Sequence, residues 1–302
     1  MAIRVTSGMM STQMLSNLNR NLYRMDNMSN QIATGRKINK PSDDPVGVTY
    51  ALRYRAELAA NEQYQSNTDA AVSWLDATDS NMQQALDVMK RLKELAVQGA
   101  NGTLSDSDLE AVNLEVDELK QHLVDIGNTQ IRGKYIFNGQ MYDQAPYQLS
   151  STVTDYADVE TDTKGVIYSI SQQVTFQINT SGNELFGSKT DTDNVFRILD
   201  NLSAALNNGN QNAISQELNN IESRSNKIQS ALSEVGARSN RIELVQNRLM
   251  DQNLNFTTLQ SKTEDADVAK LMIQATSAQT IYEASLKSSA QIMLPSLMDF
   301  MR

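Results

Sequence analysis

Residues 221–256 read IESRSNKIQSALSEVGARSNRIELVQNRLMDQNLNF, and an apolar side chain returns at every seventh position. The repeating residues are Ile221, Ile228, Val235, Ile242, Leu249 and Phe256. Such a repeat is typical of a long helix in a coiled coil or bundle. Gly236 lowers the helix propensity by about 1 kcal/mol relative to Ala, yet it does not shift the register. This stretch therefore predicts one long, uninterrupted helix.

The N-terminal part of the chain shows related spacing in a helix that we predict over residues 11–33. Leu15, Leu18, Leu22 and Met25 recur at steps of three and four, as the a and d positions of a heptad do. Gly35 would end this helix, because glycine is common just past a helix C-terminus.

The next segment, PSDDP at residues 41–45, predicts the start of a second helix. Asp44 is a candidate N-cap, and Pro45 suits the first helical position. Glycine is absent from Val48 to Gln98 and no proline falls between residues 46 and 145, so this helix can run to residue 98. A third helix is predicted to begin near Ser105, with Asp108 as its capping partner.

The middle of the chain changes from helical spacing to alternation. Two runs alternate apolar and polar residues across a short polar connection, which predicts a β-hairpin. Their apolar members are Val166, Tyr168, Ile170, Val174, Phe176 and Ile178.

The C-terminal segment returns to helical spacing. Ser261 and Glu264 fit an S-x-x-E capping box, which predicts that a new helix begins there. Apolar residues then follow at steps of three and four: Val268, Leu271, Ala275, Ala278 and Tyr282. Two terminal helices that paired only with each other would leave apolar surface uncovered, and such a surface usually marks an interface. The ends of the chain therefore predict subunit contacts in a polymer.

These patterns predict a mainly α protein. We expect a long antiparallel helical bundle or coiled coil built from both chain ends, with a small inserted β-rich domain. The predicted parts are terminal helices in residues 1–40 and 263–302, a helical rod in residues 41–130 and 190–262, and the insert in residues 131–189.

The composition excludes several functional classes. With 26 basic and 36 acidic residues, the net charge of −10 argues against a nucleic-acid partner. No apolar run is long enough for membrane insertion, and the N-terminus shows no signal-peptide core. The chain has no cysteine, and its single histidine, His122, lies in a helical segment. We therefore expect no enzyme activity, no cofactor and no metal site.

Several stretches resemble the terminal signatures of the flagellin superfamily. The longest is ATGRKINKPSDDP at residues 33–45, and ARSNRIE at residues 237–243 and NRL at residues 247–249 agree with it. Within the superfamily, KPSDDP at residues 40–45 is most similar to the hook-associated protein 3 branch, because flagellins more often have Ala after the paired Asp. The resemblance covers about residues 1–140 and 195–302.

The resemblance implies a structural protein of the bacterial flagellum, in which the terminal helices form an inner coiled-coil layer. It implies type III export without a cleaved signal peptide, and an extracellular location. It also implies a ring that adapts the hook-associated zone to the filament. The expected partners are further copies of the chain, the first hook-associated protein, flagellin and a flagellar export chaperone.

Two sets of site residues follow as hypotheses. The subunit interface would use apolar residues and charged pairs: Leu15, Leu18, Leu22, Met25, Val268, Leu271, Tyr282, Arg36, Asp43, Asp44, Arg238 and Arg241. For the charged residues near Pro41, a capped turn with solvated charges is the alternative. An export chaperone would cover the apolar tail by a helix-in-groove contact with Leu286, Ile292, Met293 and Leu297.

Three other functions compete with the junction protein. The first is a flagellin filament subunit, and the second is a secreted coiled-coil scaffold. The third is an enzyme carried by the insert, but residues 131–189 contain no His, no Cys and no phosphate-binding glycine loop.

Overall fold

The computed structural model describes residues 7–102, 104–150 and 153–293. Within them lie seven α-helices and four short strands. The helices are α1 (Ser7–Thr34), α2 (Pro45–Ala100), α3 (Asp106–Gly127), α4 (Gly182–Phe186), α5 (Val195–Asn207), α6 (Gln211–Glu264) and α7 (Val268–Met293). The strands are β1 (Gln130–Ile131), β2 (Lys134–Tyr135), β3 (Ile167–Ser171) and β4 (Val174–Gln177). The mainly α fold with a small β-containing insert is confirmed.

The chain divides into two compact units. Unit 1 contains the residues up to Ala60 and from Gln252 onward, and unit 2 contains Asn61–Asp251. Helices α2 and α6 each contribute residues to both units. The three-part division expected from the sequence stays a prediction.

The core of unit 2 uses the seven-residue stripes that the sequence shows. In α6, Ile221, Ile228, Val235, Ile242 and Leu249 are all buried. In α2, the stripe of Leu75, Met82, Met89 and Ala96 is completely buried as well. Burial of side chains this large stabilises the folded state by about 1.5–3 kcal/mol each. The predicted long helices are confirmed, and their stripes form the main core.

Helix α3 begins as its sequence predicts. The Ser105 hydroxyl oxygen accepts the Asp108 backbone N–H, and the Asp108 carboxylate accepts the Ser105 backbone N–H. Both bonds of the capping box are therefore present. The pKa of Asp108 lies below its usual value, mainly because of the hydrogen bond with the Ser105 hydroxyl and secondly because of the bond from the Ser105 backbone N–H.

The insert between α3 and α6 contains two small antiparallel sheets, β1–β2 and β3–β4. In the second sheet Tyr168 pairs with Phe176, as the alternating pattern predicts. The strands are short, and an aromatic cluster lies in the same insert. The ring of Tyr147 lies 5.1 Å from the rings of both Phe186 and Phe196.

A buried ionic network in unit 2 has no counterpart in the sequence-based expectations. The Arg224 guanidinium is buried and donates to the Asp193 carboxylate at 2.6 Å and to the Asp193 carbonyl at 2.7 Å. Asp193 also accepts hydrogen bonds from Lys227 and Ser223. Burial by itself raises the pKa of Asp193, but these bonds and the nearby positive charges outweigh it and lower that pKa.

Unit 1 joins the two ends of the chain. The Ala266 backbone N–H donates to the Gly35 carbonyl at 3.0 Å, and the Lys37 N–H donates to the Glu264 carbonyl at 2.6 Å. The end of α1 therefore lies at the start of α7, and the two helices pack as an antiparallel pair.

The predicted helix start at Ser261 is wrong. Helix α6 continues to Glu264, and α7 begins at Val268. The Ser261 hydroxyl donates to the Asp265 carboxylate at 2.5 Å instead of capping a helix. Asp267 takes the capping role, because its carboxylate accepts the Lys270 N–H at 3.0 Å.

Candidate assembly surface

The contact line between α1 and α7 is a thin apolar seam. On α1, the half-buried apolar residues are Met14, Leu18, Met25, Met28 and Ile32. On α7, the half-buried positions include Leu271, Ala275, Ala278 and Tyr282, as their spacing predicts. No described side chain of α1 is fully buried. The seam therefore holds two helices together and leaves most of their surface uncovered.

The sequence predicts Leu15, Leu18, Leu22 and Met25 as the a and d positions of α1, and the structure places two of them against α7. Leu18 and Met25 lie in the seam, but Leu15 is 55% exposed and Leu22 is 41% exposed. The positions 14, 18, 21, 25, 28 and 32 also step by three and four, and this frame faces α7. Because one position turns a helix by about 100°, Leu15 and Leu22 point to one side of the seam and not into it.

The outer faces of the helix pair carry large apolar side chains. Leu15, Leu22 and Tyr23 are exposed on α1, and Met272, Ile273 and Ile281 are exposed on α7. Val268, predicted as an interface residue, is exposed too. Large apolar side chains exposed on the same helix pair favour an interaction site in a soluble protein. We call these residues the outer apolar surface.

Two grooves run along the flanks of the seam. The larger, of about 500 Å³, is lined by residues that include Asn21, Met28, Ile273 and Ile281. The smaller, of about 260 Å³, is lined by residues that include Met25, Ile32 and Met272. Side chains from another molecule could enter either groove without displacing the seam.

The turn between α1 and α2 is braced by its two aspartates. The Asp44 carboxylate accepts the N–H groups of Val46 and Gly47, which confirms it as the N-cap of α2. The Asp43 carboxylate accepts the N–H groups of Lys40 and Asn39 at 2.8 and 3.0 Å. These two bonds hold the pKa of Asp43 below its usual value.

Arg36 does not pair with these aspartates within the chain. Its guanidinium lies 3.7 Å from the carboxylate of Glu264, which is only 2% exposed. Arg55 binds the same carboxylate through two hydrogen bonds of 2.8 and 2.5 Å. The hydrogen bonds that Arg55 donates to Glu264 raise the pKa of Arg55. We call Arg36, Arg55 and Glu264 the ionic clasp.

Sequence reasoning missed the ionic clasp because its members are far apart. Arg55 and Glu264 are separated by 209 positions, and each lies in a helix with many other charged residues. The resemblance of residues 33–45 to the flagellin superfamily made Arg36 a candidate, but its partner Glu264 can be recognised only in the folded chain.

The two predicted arginines of α6 contact their own chain. Arg238 donates to the Asn179 carbonyl at 3.1 Å and to Glu234 at 2.5 Å. The Arg241 guanidinium lies 5.3 Å from the centre of the Phe176 ring, a cation–π contact. Both residues therefore fasten the insert to α6 within unit 2.

Of the predicted chaperone-binding residues, Leu286 is described and exposed on α7. The side chains of Ile292 and Met293 lie outside the described residues, as does Leu297.

The described residues hold no group of three or more His, Asp or Glu side chains arranged to bind a metal ion. His122 is exposed on α3. None of the described helices is both long and apolar enough to cross a membrane. With its paired chain ends and outer apolar surface, the fold defines an α-helical structural protein.

Comparisons with known proteins also indicate a structural protein, and they identify the family. The model of the bacterial flagellin N-terminal helical region matches residues 5–141, and the model of the C-terminal helical region matches residues 218–301. The chain belongs to the flagellin family. The expected resemblance is confirmed, and so is the location in the flagellum.

Individual relatives point to one branch of the family. Flagellar hook-associated protein 3 of Salmonella typhimurium is 26% identical over 216 residues, which cover 68% of this chain and 67% of the relative. A flagellin of Escherichia coli O127:H6 is 28% identical over 173 residues, which cover 55% of this chain and 31% of the relative. In fold, the chain is similar to a putative flagellar hook-associated protein from Vibrio parahaemolyticus, with a TM-score of 0.67 and 23% identity over 74% of this chain and all of that one.

Proposed function

We propose that this chain is a structural junction subunit of the bacterial flagellum, which forms a ring that adapts the hook-associated zone to the flagellin filament. The observation that carries the proposal is the outer apolar surface on the paired chain ends. A monomer gains nothing from exposing it, whereas neighbouring subunits in a ring would bury it.

The extent of similarity favours a junction subunit over a filament subunit. The alignment with hook-associated protein 3 covers two thirds of both chains, whereas the alignment with the flagellin covers less than a third of the relative. The flagellin filament subunit remains the alternative function.

The interface residues fall into two groups in this proposal. Leu15, Leu22 and Val268 would contact neighbouring subunits directly, because they are exposed on the helix pair. Leu18, Met25, Leu271 and Tyr282 would act by holding α1 against α7. The predicted charged residues already have partners in their own chain: Arg36, Asp43, Asp44, Arg238 and Arg241. If they also fix the register between subunits, each would have to contact a neighbouring subunit in addition to its own partner.

The partners in this proposal are further copies of the chain, the first hook-associated protein and flagellin. A flagellar export chaperone would cover the apolar end of α7 near Leu286 before assembly. The chain would leave the cell through the flagellar export channel and act outside it, as a structural protein without enzymatic activity.

Deletion of the gene in its own organism tests the proposal. We expect cells with hooks but no filaments in electron micrographs, and flagellin released into the medium. The reason is that the first flagellin subunit would have no binding site at the end of the hook. Absence of filaments together with absence of other flagellin in cells and medium would identify the chain as the filament subunit. Normal filaments would overturn a flagellar junction role.

A pair of substitutions tests the surface that carries the proposal. In the deletion strain, the double variant Leu15→Glu and Leu22→Glu should be exported but should fail to restore filaments. Leu114→Glu is the control, because Leu114 is also an exposed leucine but lies on α3 in unit 2. Restoration of filaments by both variants would show that the outer apolar surface is not the subunit contact.

A further inference from the structure

The methionines of this chain are concentrated at its two ends. Ten of the 14 lie in residues 1–28 and 272–302, and the others are Met82, Met89, Met141 and Met250. The stripes of α6 in unit 2 use Ile, Val and Leu instead. The helix pair is therefore built with an unusual share of thioether side chains, which are flexible, polarizable and open to oxidation.

Two of these methionines lie in the seam and border its grooves, and a third lies beside the seam on α7. Met25 and Met272 line the smaller groove together, and Met28 lines the larger groove beside Ile273. Met272 is 57% exposed, and Met25 and Met28 are half-buried. A small oxidant dissolved in water can reach these sulfur atoms from the grooves without unfolding of the pair.

Small and large apolar residues of α7 face these methionines. Ala275 lies along the groove of Met25, and Ala278 and Ile273 lie along the groove of Met28. Three of the five half-buried apolar residues of α1 are methionines. Methionine side chains thus supply much of the apolar contact from α1, and a polar group on their sulfur atoms would enter that contact.

We propose that Met25, Met28 and Met272 form an oxidation-responsive site that loosens the α1–α7 pair when its thioethers become sulfoxides. The oxidant class is a hydroperoxide, with hydrogen peroxide as the simplest member. The sulfur lone pair attacks one peroxide oxygen, and a sulfur–oxygen bond forms as the oxygen–oxygen bond breaks. With hydrogen peroxide, the departing oxygen takes the proton of the transferred hydroxyl and leaves as water. Sulfur loses two electrons and peroxide gains them, so no other reactant is required.

The consequence for assembly rests on the proposed function. A chain with sulfoxides in the seam presents a polar, loosened helix pair, whereas subunits in a ring would bury these methionines and shield them. Oxidation would therefore prevent damaged free subunits from joining the ring, and it would leave assembled ones intact.

The core of unit 2 supplies an internal control in the same molecule. Met82 and Met89 are completely buried in the α2 stripe. Their sulfur atoms should react only when unit 2 opens, because oxidation follows exposure.

The test treats the purified full-length chain with hydrogen peroxide and measures sulfoxide at each methionine by peptide mapping. We expect Met272, Met28 and Met25 to react about tenfold faster than Met82 and Met89, with Met272 the fastest. Hydrogen exchange of the oxidised chain should then show about tenfold less protection in α1 and α7, with the α2 stripe of unit 2 unchanged.

The triple variant Met25→Leu, Met28→Leu and Met272→Leu is the matched control. Leucine keeps the apolar volume but cannot form a sulfoxide, so peroxide should leave its helix pair protected. Equal reaction rates at all five methionines would overturn the proposal, and so would loss of protection in the peroxide-treated triple variant. These readouts use the free chain, so their failure is distinguishable from failure of the junction role.

Discussion

The stripe of α6 in unit 2 and the seam of α1 in unit 1 follow the same spacing rule but differ in burial. Ile228 and Ile242 are completely buried, whereas no described side chain of α1 is. In unit 2, α6 contributes to a core shared with α2, α3, α5 and the insert. In unit 1, the main packing partner of α1 among the described elements is α7. The difference shows that periodicity predicts which face packs, while the number of neighbouring elements decides how completely it is buried.

Removal of Arg224 should affect unit 2 most. Arg224→Ala leaves the Asp193 carboxylate, which is 6% exposed, without its closest cation. We expect the free energy of unfolding to fall by about 3–5 kcal/mol, as it does when one partner of a buried ion pair is removed. Denaturant unfolding followed by circular dichroism measures this change.

Lys227→Ala is the matched control for Arg224→Ala. Lys227 binds the same carboxylate, but its side chain is 52% exposed, so we expect a loss of about 0–1 kcal/mol. Equal losses for the two variants would mean that burial does not set the strength of this network.

Disruption of the ionic clasp should affect unit 1 next. Glu264→Gln removes the charge that Arg55 and Arg36 share, and Arg55 is partly hydrated, so we expect a local loss of about 1.5–3 kcal/mol. Hydrogen exchange should show faster exchange in α1 and α7 and no change in the α6 stripe of unit 2.

Glu94→Gln, which alters an exposed pair with Arg91, should leave both regions unchanged. A uniform change over the whole chain would contradict the separation of the two units.

Acidification should produce the smallest effect, and mainly in unit 2. The pKa of Asp193 is lowered in the folded chain, so its stabilising contribution is complete above the unfolded value of about 3.9. It is lost as the pH falls through the lower folded value, at no more than about 1.4 kcal/mol per pH unit. Unfolding measured above and below pH 4 should show this loss, and Asp193→Asn should reduce the slope. A slope unchanged by Asp193→Asn would assign the acid sensitivity to other carboxyl groups.

The long helices, their core stripes and their caps were predictable from the sequence. The heptad of Ile221 to Leu249, the N-cap Asp44 and the capping box at Ser105 are local patterns, and local hydrogen bonding and periodicity decide them. The hairpin of β3 and β4 was predictable for the same reason, because its alternation lies within a dozen residues.

The sequence was ambiguous where two local patterns compete. Ser261 and Glu264 fit a capping box, but the Glu264 carboxylate binds Arg55 and the helix continues past Ser261. Likewise, two frames of apolar residues fit α1, and contact with α7 selects the frame of Met14, Leu18 and Met25. In both cases a partner distant in sequence decides between local alternatives of similar energy.

By itself, the sequence determined the helical class, the helix that starts at Pro45, the buried stripes and membership in the flagellin family, because each is recorded in neighbouring residues or in terminal signatures. Only the tertiary structure decided which apolar residues of α1 and α7 stay exposed and which charges pair in the ionic clasp and around Arg224. The physical reason is that burial and ion pairing depend on distances between residues far apart in the chain. Those distances exist only once the helices have packed.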